Sequence, residues 1–239
     1  MKHLNHRLTI VGVAILLALI IFLPLNGPLS WLQFLAGWGL MAVLPGYALL
    51  YRLWLQPAAV LPNAIERGLL AIGLSYGLSI TLFLIIALSG LPLNTVFVVG
   101  GLLALIVVAV FSGAAPEEPS TKPAHQIGLS TRSYSFGLLS ILLIALFFRV
   151  ASLYYSNYQG DEAEIVLRAV ALINGDLDAI LTHSKGPGEV LVLNGIGAMT
   201  AQFDELTARL PFALAGIVSV GLVVMVGRLL FRPAVGLIA

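Results

Sequence analysis

The run LTIVGVAILLALIIFLPL, Leu8 to Leu25, holds eighteen residues without a single charge. As a helix it would be about 27 Å long, close to the thickness of a bilayer's hydrocarbon core. Comparable runs recur down the chain, and hydropathy places spans near 8–25, 31–54, 68–91, 94–112, 136–154 and 208–230. With 59% hydrophobic and 10% charged residues, and a mean hydropathy of +1.03, the composition is not that of a soluble globule. The expected fold class is all-α: a polytopic transmembrane helix bundle with an extracytoplasmic loop of juxtamembrane amphipathic helices. Helices are favoured because lipid leaves backbone polar groups no partner outside their own segment.

Lys2, His3, His6 and Arg7 ahead of the first run also fit the charged start of a signal peptide. The run passes into Pro24 and Asn26 without a small-x-small cleavage site, which favours an uncleaved span. Zero cysteines exclude disulfides, thiolate metal sites and cysteine nucleophiles. The net charge of +1 gives no sign of a nucleic-acid partner. In the second span, Leu44-Pro45-Gly46-Tyr47 predicts a kink, because proline removes a backbone donor and clashes with the preceding turn. In the third, Gly73 and Gly77 have the small-xxx-small spacing that admits another helix closely.

Orientation follows from the lysines and arginines, which cytoplasmic loops retain. With the amino terminus inside, Lys2, Arg7, Arg52, Arg67, Lys122, Arg132, Arg228 and Arg232 fall on the cytoplasmic side, against Arg149, Arg168, Lys185 and Arg209 outside. Eight of the eleven acids fall outside. The loop from about 155 to 207 is therefore expected to be extracytoplasmic. Between 113 and 135 the texture changes to Ser, Gly, Ala, Pro, Glu and Lys, the composition of a flexible linker. It separates a four-span unit, 1–112, from a second unit, 136–239, that holds nearly all the polar chemistry. No internal repeat stands out.

Within the loop, Glu162, Ile165, Val166, Ala169, Leu172 and Ile173 are spaced as one face of a helix over Asp161 to Asn174, ended by Gly175-Asp176. A second helix is expected from Glu189 to about Gln202, with Leu191, Leu193, Ile196 and Met199 buried, and both helices are expected near the outer surface. Three polar marks accompany them: Gly160-Asp161-Glu162-Ala163, His183-Ser184-Lys185-Gly186-Pro187 and Arg209-Leu210-Pro211. Acids grouped beside a bilayer are a functional-site hypothesis by default.

In order and topology these three marks resemble the opening of the catalytic module of C-type glycosyltransferases. The likeness is to the protein O-mannosyltransferase and aminoarabinose-transferase group, which uses polyprenyl-phosphate sugars, and it covers roughly Phe147 to Ala239. The resemblance implies that Asp161 deprotonates an acceptor hydroxyl and that Glu162 assists by orientation or metal contact. It implies further that Lys185, with His183 and Arg209, neutralises the lipid phosphate of the donor. The expected setting is the outer face of a prokaryotic cytoplasmic membrane, with membrane lipid and lipid-linked sugar as partners. An acid pair facing a phosphorylated donor can share Mg²⁺ or Mn²⁺, and the sequence does not fix one.

Each residue has a plainer reading. Asp161-x-x-Glu164 matches a capping box, and Glu164 with Arg168 matches a helix-surface ion pair. Lys185 can snorkel toward headgroups, Arg209 can anchor a span end, and His183 can be a polar loop residue. Tyr154, Tyr155 and Tyr158 fit an interfacial belt. The first four spans depart from the familiar module; Leu44-Pro45-Gly46-Tyr47-Ala48-Leu49-Leu50 with Ile65-Glu66-Arg67 resembles a family of prokaryotic multispan proteins. Related enzymes carry more spans, so the expectation is an amino-terminal part completed by a further membrane segment or chain. The runner-up is a non-catalytic scaffold or assembly partner, and a transporter ranks third for want of a midplane ionisable residue.

Overall fold

The computed structural model describes residues 2–53, 63–112, 131–151, 153 and 156–238. Among them every regular element is a helix. In chain order these are α1 (Lys2–Phe22), a 3-10 turn (Gly27–Leu29), α2 (Ser30–Ala42), α3 (Leu44–Leu53), α4 (Ala64–Leu88) and α5 (Thr95–Phe111). There follow α6 (Thr131–Val150), α7 (Gly160–Ile173), α8 (Asp178–Leu181), α9 (Gly188–Thr200), α10 (Glu205–Leu230) and α11 (Pro233–Ile238). Five segments, Leu4–Phe22, Gly27–Tyr51, Ala64–Leu88, Arg132–Val150 and Glu205–Leu230, are long and apolar enough to cross a membrane. The sixth expected span is α5, whose 17 residues reach about 25 Å. The chain is a multi-pass membrane bundle.

Short polar side chains set the helix starts. Asn63 Oδ1 accepts from Ile65 N–H, Asn94 Oδ1 from Val96 and Phe97, and Asp204 Oδ1 from Leu206 and Thr207, which satisfies donors that a helix leaves orphaned at its first turn. The linker read over 113–135 lies outside the described residues as far as 130. Its last five residues already belong to α6, which begins at Thr131. Two ends of the bundle can be named from this connectivity. The loop end carries the segment between α6 and α10, and the linker end is where α5 stops and α6 starts.

The kink at Pro45 is present and is repaired from a neighbouring helix. α2 stops at Ala42, Val43 leaves helical geometry at φ −123° and ψ −54°, and α3 resumes at Leu44. Proline cannot give the N–H that Met41 C=O needs, and Ser79 of α4 donates its hydroxyl there at 2.7 Å. Gly46 N–H, without a helical acceptor across the break, donates to Ser75 Oγ at 2.7 Å. Serines on a packed helix are a usual means of re-satisfying backbone freed by proline in a membrane. A Cβ on Gly46 would collide with the Ala71 carbonyl oxygen and come within 2.7 Å of Ser75 N. The close approach therefore falls at Gly46. Of the predicted Gly73 and Gly77 pair, Gly73 faces Leu222 of α10, while Gly77 meets nothing within 4 Å.

The core is continuous between residues before and after the linker. One cluster joins Ile10, Phe34, Leu40, Phe83 and Leu102 with Leu172, Leu191, Leu193 and Ile196. Its centre is α9, in which Leu191, Leu193, Ile196 and Met199 are buried as expected. The helix is not one-sided, however, since every residue from Val190 to Thr200 is buried. It packs against α2, α4, α5 and α7. A helix apolar all round belongs inside. Its glycines permit this: a Cβ on Gly195 would sit 2.5 Å from the Phe83 ring, and one on Gly197 would strike Phe203. Asn194, the polar residue in its middle, donates to the Ala169 carbonyl of α7 at 3.1 Å.

At the linker end Glu66, marked in the sequence as part of Ile65-Glu66-Arg67, is fully buried. Arg228 of α10 meets it through two parallel hydrogen bonds of 2.7 Å, and the Tyr134 hydroxyl of α6 donates to it at 2.8 Å. This cluster ties α4, α6 and α10 together beside Leu69, Leu138, Val218 and Val224. Away from it, α6 is peripheral. Leu143, Ile144, Phe147 and Phe148 are 55%, 58%, 66% and 78% exposed, which makes an apolar flank suited to lipid.

Candidate functional site

The site is built on α7 and on the turn that leads into α9. Gly160 to Ile173 forms α7, one residue displaced from the predicted span. Ala169 and Leu172 are buried and Ile165, Val166 and Ile173 half-buried, as the apolar stripe requires. The helix ends in a Schellman arrangement: Gly175, at φ +91°, donates to Leu172 O, and Asp176 donates to Ala171 O.

The capping-box reading of Asp161 with Glu164 does not hold. Gln159 is the N-cap, and Glu162, three residues on, accepts from Gln159 N–H at 3.3 Å. Asp161 is the second helical residue, with its carboxylate turned to the next segment. There Lys185 Nζ donates to Asp161 Oδ2 at 2.7 Å. Lys185 is presented by a turn in which Gly186 N–H donates to His183 O, Gly186 lying at φ +88°. Both side chains are open to solvent. Lys185 holds the Asp161 carboxyl below its ordinary value of 3.8, and Asp161 in turn raises the Lys185 ammonium above 10.5.

Glu162 turns to a different cation. Arg209 meets it in a fork, Nε to Oε1 at 3.0 Å and Nη2 to Oε2 at 2.6 Å. The same guanidinium donates through Nη1 to Leu153 O and Ser156 O, and through Nη2 to Asn157 O. That accounts for all five N–H donors of an arginine. Arg209 thus fastens the segment leaving α6 to the first turn of α7, and it offers no spare donor to a phosphate. The hydrogen bonds from Arg209 keep the Glu162 carboxyl below 4.5. Tyr158 completes the clasp by donating to Phe203 O at 2.6 Å, and burial pushes its phenol up to about 12. Tyr154 and Tyr155 lie outside the described residues.

The predicted residues therefore form two neighbouring pairs. Glu162 and Arg209 line a cleft of about 430 Å³ between α6 and α10, with Phe148, Arg149, Leu153, Phe212 and Ala213. Asp161 and Lys185 do not line it. Because the two carboxylates are held by different cations, they do not form a shared cation site. Among the described residues no cluster of three metal-ligating side chains occurs.

His183 lies in the loop between α8 and α9, as read, but is buried there. Its side chain is 4% exposed, Nε2 stands 3.8 Å from Glu189 Oε2, and neither ring nitrogen has a hydrogen-bond partner. Arg168 pairs with Glu164 at 2.9 Å as its spacing predicted, and it also donates to Ala179 O and Thr182 Oγ1, closing α8 onto α7. Sequence reasoning passed over Arg149, whose only signal was a basic residue in the last turn of a span.

No protein-family model matches the chain, and no curated protein or solved structure matches it either.

Proposed function

We propose that this protein is the donor-handling part of a membrane glycosyltransferase. It would move a sugar from a polyprenyl-phosphate donor to an acceptor hydroxyl at the outer face of a prokaryotic cytoplasmic membrane. The supporting observation is the contact of Asp161 with Lys185 at 2.7 Å, between residues 24 apart in sequence. Such a transfer needs a base for the acceptor proton and a cation for the departing phosphate, set close together. The pair supplies both, exposed at the loop end.

In the resting state the two groups neutralise each other. An arriving donor phosphate competes for the Lys185 ammonium, and as it draws the lysine away the cause of the depressed Asp161 carboxyl weakens. The acceptor oxygen then attacks the anomeric carbon as the bond from that carbon to the phosphate oxygen breaks. The bonding pair leaves with polyprenyl phosphate, the hydroxyl proton passes to Asp161, and the anomeric configuration inverts. Lys185 stabilises charge that grows on the phosphate, an interaction stronger in the transition state than in the ground state. Glu162 acts through Arg209 by fixing the turn that presents Asp161.

A non-catalytic scaffold is the second reading. It is favoured by the pairing of Asp161 with Lys185 and of Glu162 with Arg209, in which each carboxylate already has its cation. The test is transfer of radiolabelled sugar from polyprenyl-phosphate donors in membranes expressing wild type, Asp161→Asn or Lys185→Met. Loss of transfer by about a hundredfold or more in Asp161→Asn, at equal protein level, supports the enzyme. Equal transfer by wild type and Asp161→Asn removes Asp161 from the chemistry, and no transfer by any form puts the scaffold first.

A further inference from the structure

We propose that the cleft between α6 and α10 binds the phosphate group of a membrane lipid, with Arg149 as its direct contact. This stands apart from glycosyl transfer and does not need it to be correct. Four cations lie toward the loop end: Arg149, Arg168, Lys185 and Arg209. Three are engaged, with Glu164, Asp161 and Glu162 respectively. Among the described residues Arg149 has neither a hydrogen bond nor an ion pair. Among the described residues the cleft it lines contains two guanidiniums and one carboxylate, and that carboxylate is held in the Arg209 fork. One positive charge is left without compensation beside Phe148, Leu153, Phe212 and Ala213, on a side chain that is itself exposed.

The guanidinium is also seated. It lies across α10 at Gly216, where an added Cβ would come 2.5 Å from Nη1, 2.6 Å from Cζ and 2.9 Å from Nε. The absence of a side chain at Gly216 leaves the room in which the guanidinium lies against α10. A planar fork of that kind matches two phosphate oxygens. The ligand is lipid-borne because of where the cleft opens. Its wall is the last turn of α6, whose outer residues Phe147 and Phe148 are 66% and 78% exposed on the flank that a bilayer covers. An anion reaching Arg149 along that flank carries hydrocarbon with it, and basic pockets between membrane helices commonly take lipid headgroups. The competing account is that Arg149 only complements the carboxyl end of α6.

The test is binding to the purified full chain in a neutral detergent, measured by native mass spectrometry. Phosphatidylglycerol and polyprenyl phosphate are the probes, diacylglycerol is the phosphate-free control and inorganic phosphate is a competitor. Either phosphate lipid should bind about tenfold or more tightly than diacylglycerol. Arg149→Gln should abolish that preference, as should Gly216→Val, which evicts the guanidinium without removing it. Arg149→Lys should keep part of it, and Arg168→Gln, which removes a loop-end cation that does not line the cleft, should leave it intact. Preference for either lipid supports the proposal, and which one is preferred names the source. An unchanged preference in folded Arg149→Gln or Gly216→Val overturns it. So does competition by inorganic phosphate at concentrations equal to the lipid's, because the lipid tail would then contribute nothing. If Arg149→Gln does not fold, the Gly216→Val and Arg149→Lys arms decide.

Discussion

Arg228→Ala should be among the most damaging single substitutions in the chain. Glu66 is 0% and Arg228 6% exposed, and they share two hydrogen bonds of 2.7 Å while Tyr134 supplies a third contact at 2.8 Å. Removing the guanidinium leaves a carboxylate inside the bundle with only a phenol beside it. Breaking one partner of a buried pair costs about 3–5 kcal/mol. Removing both charges together, as in Glu66→Gln with Arg228→Met, forfeits hydrogen bonds but strands no charge, and replacement of a buried pair by neutral groups is often close to neutral. The double variant should therefore lie within about 1–2 kcal/mol of wild type, giving a coupling energy of about 4–9 kcal/mol. Reversible unfolding in mixed micelles, on wild type, Glu66→Gln, Arg228→Met and the double, completes the cycle. The reasoning is refuted if either single truncation costs less than about 1 kcal/mol, or if the double is as unstable as the two singles added.

Gly46→Ala should destabilise the protein by about 1–3 kcal/mol, the usual cost of overpacking, because the new methyl meets the Ala71 carbonyl and Ser75 on α4; an unfolding midpoint equal to wild type would contradict the close approach. Arg209→Lys, which cannot reproduce a five-donor clasp, should speed amide hydrogen exchange around Leu153, Ser156 and Asn157 relative to wild type. The same variant gives a pH test. Because the Glu162 carboxyl is held below 4.5 by Arg209, the stability this pair contributes is complete above pH 4.5 and is lost as pH falls through the depressed value. The difference in melting temperature between wild type and Arg209→Lys should be flat from pH 8 to about 5 and shrink toward pH 3; a difference that widens on acidification would reverse the assignment.

Much of the architecture was legible in the residue order because its causes are local. Hydrophobic runs long enough to cross a bilayer place the spans, Asn63, Asn94 and Asp204 fix where three helices begin, and Gly175 closes α7. Pro45 broke its helix because the missing N–H is a property of proline wherever it sits. The sequence also marked Asp161, Glu162, Lys185 and Arg209 as a group, since charge near a membrane is costly to keep without a partner. What it could not assign was which charge meets which. Glu66 and Arg228 are 162 residues apart, and nothing along the chain states that α4 and α10 are neighbours. Arg209 could be a phosphate ligand or a span-end anchor by sequence, and its donors go to Glu162 and three carbonyls, a choice set by how the segment after α6 folds back. Leu191, Leu193, Ile196 and Met199 were legible as buried, but the burial of α9 on every side was not, because a short apolar helix in a loop looks the same whether it lies on the bundle or inside it. Local chemistry determined the helices and their ends; only packing, which brings distant residues within reach of a hydrogen bond and shuts water out, decided the partners of the charges and left Arg149 facing a cleft.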